Sequence, residues 1–309
     1  MISRKTMKRD LISVLDIKDD MGAILSLAEC LKTGKHDATC NLNGKTLAMI
    51  FEKSSTRTRV SFEVGMAQLG GHALYLSPKD LQMGRGETVP DTAKVLSRYV
   101  DGIMYRAFSH GTMLELAKNA TVPVINGLDD HEHPCQIVAD LLTVREHMGG
   151  FKGTKMAYVG DGNNVCNSLL LGAAIVGMDF VAGCPQGHLP NGQIAKKAAG
   201  IAKKNGCSSK VISDPKEAAK DADVIYTDVW ISMGQEAESG TKEKDFIAFQ
   251  VNPSLMRLAK KDCIVMHCLP AHRGLEIVDE VIDGPNSVVF DQAENRLHAQ
   301  KAIMLKLMR

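Results

Sequence analysis

"KTLAMIFEKSSTRTRVSFEVGMAQLGGHALYL" (45–76) holds the fold in miniature. "KTLAMIF" (45–51) is an apolar run of strand length. "RVSFEVGMAQLG" (59–70) reads as an amphipathic helix stopped by glycine, and "HALYL" (72–76) reads as a strand again. Strand, helix and strand in so short a stretch form a βαβ unit, which makes the two strands parallel. The same stretch poses a chemical question. Ser54, Ser55, Thr56, Arg57, Thr58 and Arg59 stand where the strand hands over to the helix. There the first backbone N–H groups lack intrahelical partners and the helix dipole is positive. One Ser or Thr cap satisfies an ordinary helix start. Four hydroxyls and two guanidiniums exceed that need and suit a small dianion, most simply a phosphate group.

The alternation continues in both directions. A helix over 18–33, with Met21, Ile24, Leu25, Ala28 and Leu31 on one face, precedes the unit. After it come a helix at 88–100, "GIMYR" (102–106), "MLELAKNA" (113–120), "VPVIN" (122–126) and a helix at 133–149. "GGFKG" (149–153) marks a boundary, and the pattern restarts with "KMAYVG" (155–160), a helix at 164–177, "DFVAGCP", "GQIAKKAAGIAKKNG", "SKVIS", "KEAAKDA", "DVIYTDVW" (223–230) and "DCIVMHCLP" (262–270). The last segment, "DQAENRLHAQKAIMLKLM" (291–308), is a helix with no strand after it. The expected fold is α/β in two domains, each a parallel sheet flanked by helices, with the C-terminal helix packing back on the first domain. The domains are expected at 1–148, completed by 291–309, and at 149–290.

Length agrees, since 309 residues suit about two domains. Hydrophobic residues make up 44% of the chain, enough for full-sized cores, and 37 basic residues against 36 acidic ones leave a net charge of +1. That balance argues against nucleic acid or a membrane surface as partner. No apolar stretch reaches the roughly 20 residues of a bilayer span. The basic start "MISRKTMKRD" is followed by no apolar signal core, so a cytoplasmic protein is expected. Eight Cys without CxxC pairs suggest reduced thiols.

"YVGDGNNVCNS" (158–168) tests a dinucleotide reading. Gly160 and Gly162 fit, but Val165 stands at the third glycine, and "VAGCP" closes the next strand without an acid for a ribose hydroxyl. A nicotinamide cofactor is therefore rejected. Asn163 and Asn164, at the carboxyl end of a strand, suit a carboxylate- or amide-bearing substrate. "HEHPC" (131–135) and the set His267, Cys268 and His272 could suggest a metal, but neither has the usual ligand spacing. No metal and no cofactor are expected.

Taken together, "FEKSSTRTR", "QMGRGET", "DTAKVLSRYVDGIMYR", "HPCQ", "GDGNN", "DVWISMG", "HCLPAHRG" and "FDQAENRLHAQKA" resemble, in order and end to end, the aspartate/ornithine carbamoyltransferase superfamily, most closely its ornithine branch. "DVWISMG" and "HCLP" discriminate, because the aspartate branch carries a His-Pro-Leu-Pro-Arg type element in place of the latter. The resemblance implies that Ser55, Thr56, Arg57 and Thr58 hold the phosphate of carbamoyl phosphate. It places Arg106, His133 and Arg296 around the carbamoyl carbonyl, and Gln136 with the Cys268 and Leu269 backbone carbonyls at the carbamoyl NH2. Asn164, Asp228, Ser232 and Met233 would hold the amino-acid end of ornithine. Arg106, His133 and Cys268 are the residues it implies for catalysis, with no cofactor. It also implies a closed homotrimer, open to further assembly, in which Gln82 completes a neighbouring subunit's site. The expected reaction is transfer of the carbamoyl group to ornithine's δ-amine, giving citrulline and phosphate in arginine metabolism. The competing readings are a carbamoyltransferase with another acceptor, such as putrescine, and a non-catalytic binding protein.

Overall fold

A computed structural model describes residues 8–36, 41–77, 79, 81–83, 85–231 and 239–309. The chain divides into two compact units, Met1–Cys135 with Arg296–Arg309, and Gln136–Asn295.

The first unit holds α1 (Met21–Lys32), β1 (Thr46–Phe51), α2 (Thr56–Gln68), β2 (His72–Leu76), α3 (Val89–Leu96), β3 (Gly102–Arg106), α4 (His110–Asn119) and β4 (Val124–Leu128). Its four parallel strands run in the order β2-β1-β3-β4. β1 is buried from Leu47 to Phe51, which is why "TLAMIF" shows an unbroken apolar run instead of alternation. Ala48 and Ile50 join Ile103, Tyr105, Met113 and Leu116 in one core cluster. Ser55 starts α2 three residues earlier than the apolar pattern suggests, its side chain accepting from the Thr58 N–H at 3.2 Å. The helix expected at 88–100 ends at Leu96, where the Ser97 hydroxyl turns back to the Ala93 carbonyl at 2.6 Å.

α5 (Pro134–Met148) follows, and the second unit then carries β5 (Lys155–Val159), α6 (Asn164–Val176), β6 (Asp179–Gly183), α7 (Gly192–Asn205), β7 (Ser209–Ile212), α8 (Pro215–Ala219), β8 (Val224–Thr227), α9 (Ser239–Phe246), α10 (Pro253–Met256), β9 (Ile264–His267) and α11 (Asp279–Ile282). Its five parallel strands run β7-β6-β5-β8-β9. Val159, Ile225, Trp230, Phe246, Val265 and Ile277 belong to one core cluster. Gly172 lets α6 approach α5, since a Cβ there would meet Ile137 Cγ2 at 2.5 Å.

The last helix, α12 (Val289–Met308), packs its later turns within the first unit. A Cβ on Gly65 of α2 would sit 2.9 Å from Met304. Lys301 Nζ donates to Gln68 Oε1 at 2.8 Å, and Lys306 Nζ lies 2.8 Å from Asp20.

In each sheet the chain leaves one central strand and reappears on its other side. Such a switch point lies between β1 and β3 and again between β5 and β8, and α/β proteins bind ligands beyond the strand ends at these points.

Candidate functional site

At the first switch point, Phe51 pairs with Arg106, so the ends of β1 and β3 are level. Arg106 closes β3 and is 5% exposed. The β1 end leads through Ser54 and Ser55 into α2, whose first residues are Thr56, Arg57 and Thr58. The α2 N-terminus thus opens beside Arg106, and its first N–H groups and dipole favour an anion. Arg296, on α12, is 2% exposed and donates from Nη2 to Thr58 Oγ1 at 3.2 Å. His133 stands one residue before α5 and is 5% exposed. Burial, and then the positive charges of Arg296, Arg106 and Arg57, hold its imidazole well below the usual histidine range. Three guanidiniums therefore disfavour the charged form of one buried imidazole. Nothing else in the chemistry of side chains calls for that arrangement as directly as a bound anion does.

The two arginines of "STRTR" part company. Arg59 lies 3.2 Å from Glu63 and stacks over the Tyr75 ring at 3.7 Å, which takes it out of the cationic group. Lys53, which sequence reasoning passed over, belongs near it. Its ammonium is pushed below the ordinary lysine range by burial first and by Arg106 second, and it lies over the Phe108 ring at 4.9 Å. Its place just ahead of the hydroxyl cluster was the available signal. The turn before His133 is built around Asp129, which is fully buried. Asp129 accepts from the His131 and Glu132 N–H groups at 2.8 and 2.7 Å and from Asn126 Nδ2 at 3.0 Å. Cys135 carries no comparable reactivity, since burial pushes its thiol up to about 12. Gln82 lies exposed on the loop after β2, its carbonyl accepting from the Arg85 N–H at 2.8 Å.

Next to the second switch point the register pairs Thr227 of β8 with His267 of β9, so the next residues, Asp228 and Cys268, leave the two strands side by side. The Cys268 thiol donates to Asp228 Oδ1 at 3.0 Å, and Asn163 Nδ2 donates to Oδ2 at 2.8 Å. Asn163 also caps α6, its Oδ1 accepting from Val165 and Cys166 N–H groups at 2.9 and 3.1 Å. Asn164 is the first residue of that helix, with Oδ1 accepting from the Val165 N–H at 3.0 Å. Of the two asparagines, Asn163 is therefore the one that orients Asp228. The glycines of "GDGNN" have a packing role. Gly160 takes φ +146, and a Cβ on Gly162 would overlap the Leu189–Pro190 peptide.

Leu269 has φ +59 and precedes a cis proline, and its N–H donates to His267 Nδ1 at 2.8 Å. Gln136, on α5, is 1% exposed and donates from Nε2 to Asp140 Oδ1 at 2.8 Å. Asp228, His267 and Cys268 bring possible metal-ligand atoms within 4.8 Å of one another among the described residues. Both His267 nitrogens are already engaged, Nδ1 with Leu269 and Nε2 with Glu276 at 3.2 Å, so the trio fits a hydrogen-bonded cluster better than a metal. Ser232 and Met233 lie outside the described residues.

Each α/β unit carries its own candidate site, a cationic group suited to an anion in the first and a carboxylate–thiol–amide cluster in the second, and this pair of features suits a transferase. A family model described as "Aspartate/ornithine carbamoyltransferase, carbamoyl-P binding domain" matches residues 9–146, and one for the "Asp/Orn binding domain" matches 152–307. A protein of Methanosarcina mazei named ornithine carbamoyltransferase is 57% identical over 98% of this chain and 100% of its own. One of Thermoplasma volcanium, named a catabolic ornithine carbamoyltransferase, is 55% identical over 97% of this chain and 99% of its own. The ornithine carbamoyltransferase structure from Pyrococcus furiosus matches with a TM-score of 0.93, at 55% identity and 97% coverage of both chains. The chain belongs to the aspartate/ornithine carbamoyltransferase family and is a carbamoyltransferase.

Proposed function

We propose that the acceptor is L-ornithine and that the chain transfers the carbamoyl group of carbamoyl phosphate to its δ-amine, giving L-citrulline and phosphate. The observation that carries this reading is the charge of Arg57, Arg106 and Arg296 acting on the buried His133, with Arg57 in the first turn of α2 and His133 just ahead of α5. Ser55, Thr56, Arg57 and Thr58 hold the phosphate. Arg106, His133 and Arg296 stabilise the negative charge that develops on the carbonyl oxygen as the amine adds. Gln136 and the Cys268 and Leu269 carbonyls accept from the carbamoyl NH2. Asp228 grips the α-ammonium with Asn164, Ser232 and Met233 at the same end of ornithine. An acceptor without α-groups would leave Asp228 with no task.

The attacking amine must be neutral, although a free amine of this kind titrates at about 10.4. Cys268, as a thiolate, accepts the proton that the ammonium must lose before attack, and the departing phosphate takes the second proton that the nitrogen sheds after adding to the carbonyl carbon. No step needs a cofactor. Residues 1–148 with 291–309 form the carbamoyl phosphate-binding domain in this reading, and 149–290 the ornithine-binding domain; the two family models change over between 146 and 152, and the second runs on to 307. The reaction belongs to arginine metabolism, and a cytoplasmic setting goes with it. Among the described residues no helix is long and apolar enough to cross a membrane.

The assembly is a closed homotrimer in which Gln82 serves a neighbour's site. In support, β2 is an edge strand with His72, Leu74 and Tyr75 exposed, and Gln82 is exposed on the loop that follows it. The deciding assay measures citrulline formation by purified protein, with putrescine, aspartate and N-acetylornithine as competing acceptors. Preference for any of them over ornithine defeats the acceptor assignment. For the trimer, Arg57→Ala and Gln82→Ala chains refolded together in equal amounts should recover about a quarter of the sites. No recovery in demonstrated hybrids would assign Gln82 to its own chain or to none.

A further inference from the structure

Asp140 lies one helical turn beyond Gln136 on α5 and is fully buried. Its Oδ1 accepts from Gln136 Nε2 at 2.8 Å and from Gln292 Nε2 at 2.7 Å. Its Oδ2 accepts from the Tyr226 hydroxyl at 3.0 Å. Gln292 Oε1 in turn accepts the His267 N–H at 2.9 Å, on the residue just before Cys268 and Leu269. A side-chain amide presents donors at its nitrogen and an acceptor at its oxygen, and an ionised carboxylate only accepts. Asp140 can therefore be met only by the nitrogen of Gln136. Turning that amide over would set its oxygen against a fully buried carboxylate, at the cost of an unsatisfied buried group.

We propose that Asp140 is the positioning residue that makes this chain select a carbamoyl group over other acyl groups. This rests on the carbamoyl phosphate reading above. By holding Nε2, Asp140 turns the Gln136 oxygen, an acceptor, toward the substrate's NH2. Through Gln292 the same carboxylate fixes the chain at His267, and with it the Cys268 and Leu269 carbonyls that also accept from that NH2. An acyl phosphate with a methyl group in place of NH2 would leave these acceptors facing carbon. A buried polar cluster that served only packing would hold no preference between the two donors.

The test uses the full chain carrying Asp140→Ala. It compares the KM for carbamoyl phosphate with the inhibition constants of acetyl phosphate and inorganic phosphate. The KM should rise by about tenfold or more, as expected for losing a buried polar contact. The two inhibition constants should stay within about threefold, since neither ligand uses an NH2. Asp140→Asn can keep its oxygen on both glutamine nitrogens and turn its own NH2 to Tyr226, so it should retain most of the discrimination. Equal weakening of all three ligands in folded Asp140→Ala overturns the proposal, as does loss in Asp140→Asn as large as in the alanine variant. If Asp140→Ala gives no cooperative melting transition, the unaltered protein decides. With 15N in glutamine side chains, the Gln136 NH2 protons should be protected from exchange with and without carbamoyl phosphate, and exchange at the free-amide rate refutes the assignment. Unaltered protein that carbamoylates no amine defeats the proposed function itself, a result distinct from any of these.

Discussion

Replacing Arg296 by Met separates its two tasks. The side chain is 2% exposed, donates to Thr58 Oγ1 at 3.2 Å, and is the largest of the charges that depress the His133 imidazole. Met keeps most of the volume and removes both the donor and the charge. In the proposed function Arg296 contacts the reacting group, and losing a charge-assisted contact costs about 1.5–3 kcal/mol, so kcat/KM for carbamoyl phosphate should fall by roughly 10- to 150-fold. The His133 midpoint should move up but stay below about 6.5, because burial, the first cause, remains. The sign for stability follows from linkage. With a depressed folded-state value, the unfolded chain binds a proton below about pH 6.5 that the folded chain does not. Stability is therefore fully present above that pH and declines as pH falls, by up to about 1.4 kcal/mol per pH unit for one proton. Arg296→Met should narrow the window of decline, and His133→Gln should abolish this share of the slope. Denaturant melts at stepped pH measure both, and the histidine ring signals report the midpoint directly. A midpoint that stays put or falls in Arg296→Met would refute the convergence of these groups.

Three further outcomes follow from the geometry. Asp228→Asn should weaken ornithine by about 1.5–3 kcal/mol while leaving carbamoyl phosphate nearly unchanged, and equal losses in binding titrations would show the division of roles to be wrong. Activity under limiting ornithine should rise steadily from about pH 6 to 9, because the neutral amine is the nucleophile, and a flat profile contradicts that step. Gly162→Ala should destabilise the protein by about 1–3 kcal/mol, because a Cβ there overlaps the Leu189–Pro190 peptide; an unchanged melting midpoint would mean that this turn yields freely.

Most of the architecture could be read from local pattern. Buried parallel strands such as "TLAMIF" and "VIYT" are continuous apolar runs, and the helix after the first begins at a recognisable Ser55 cap. Candidate residues at strand ends could be picked out for the same reason, since Arg106 and Asp228 close or follow such runs. The stretch around α9, α10 and α11 was not read, because helices of four to eight residues complete barely two periods of an apolar pattern. Side-chain direction was equally out of reach. "STRTR" gives no sign that Arg59 turns to Tyr75 and Glu63 instead of adding its charge at His133, because a neighbouring strand decides it. Asp140 has no mark in the sequence that sets it apart, because its partners Tyr226 and Gln292 lie far along the chain.

The first unit is assembled from two stretches far apart in the sequence, whereas the second is continuous. Its β2-β1-β3-β4 sheet can pair as soon as Leu128 is made, yet the helix face around Gly65 and Phe62 awaits Leu297, Lys301 and Met304. Closing so long a loop is slow compared with forming local contacts. A nascent chain therefore carries an unfinished anion site, lacking Arg296, throughout synthesis of the second unit. Truncations and substitutions near the C-terminus should accordingly reach the cell as poor yield of the N-terminal half, a folding defect arising far in sequence from the region it damages.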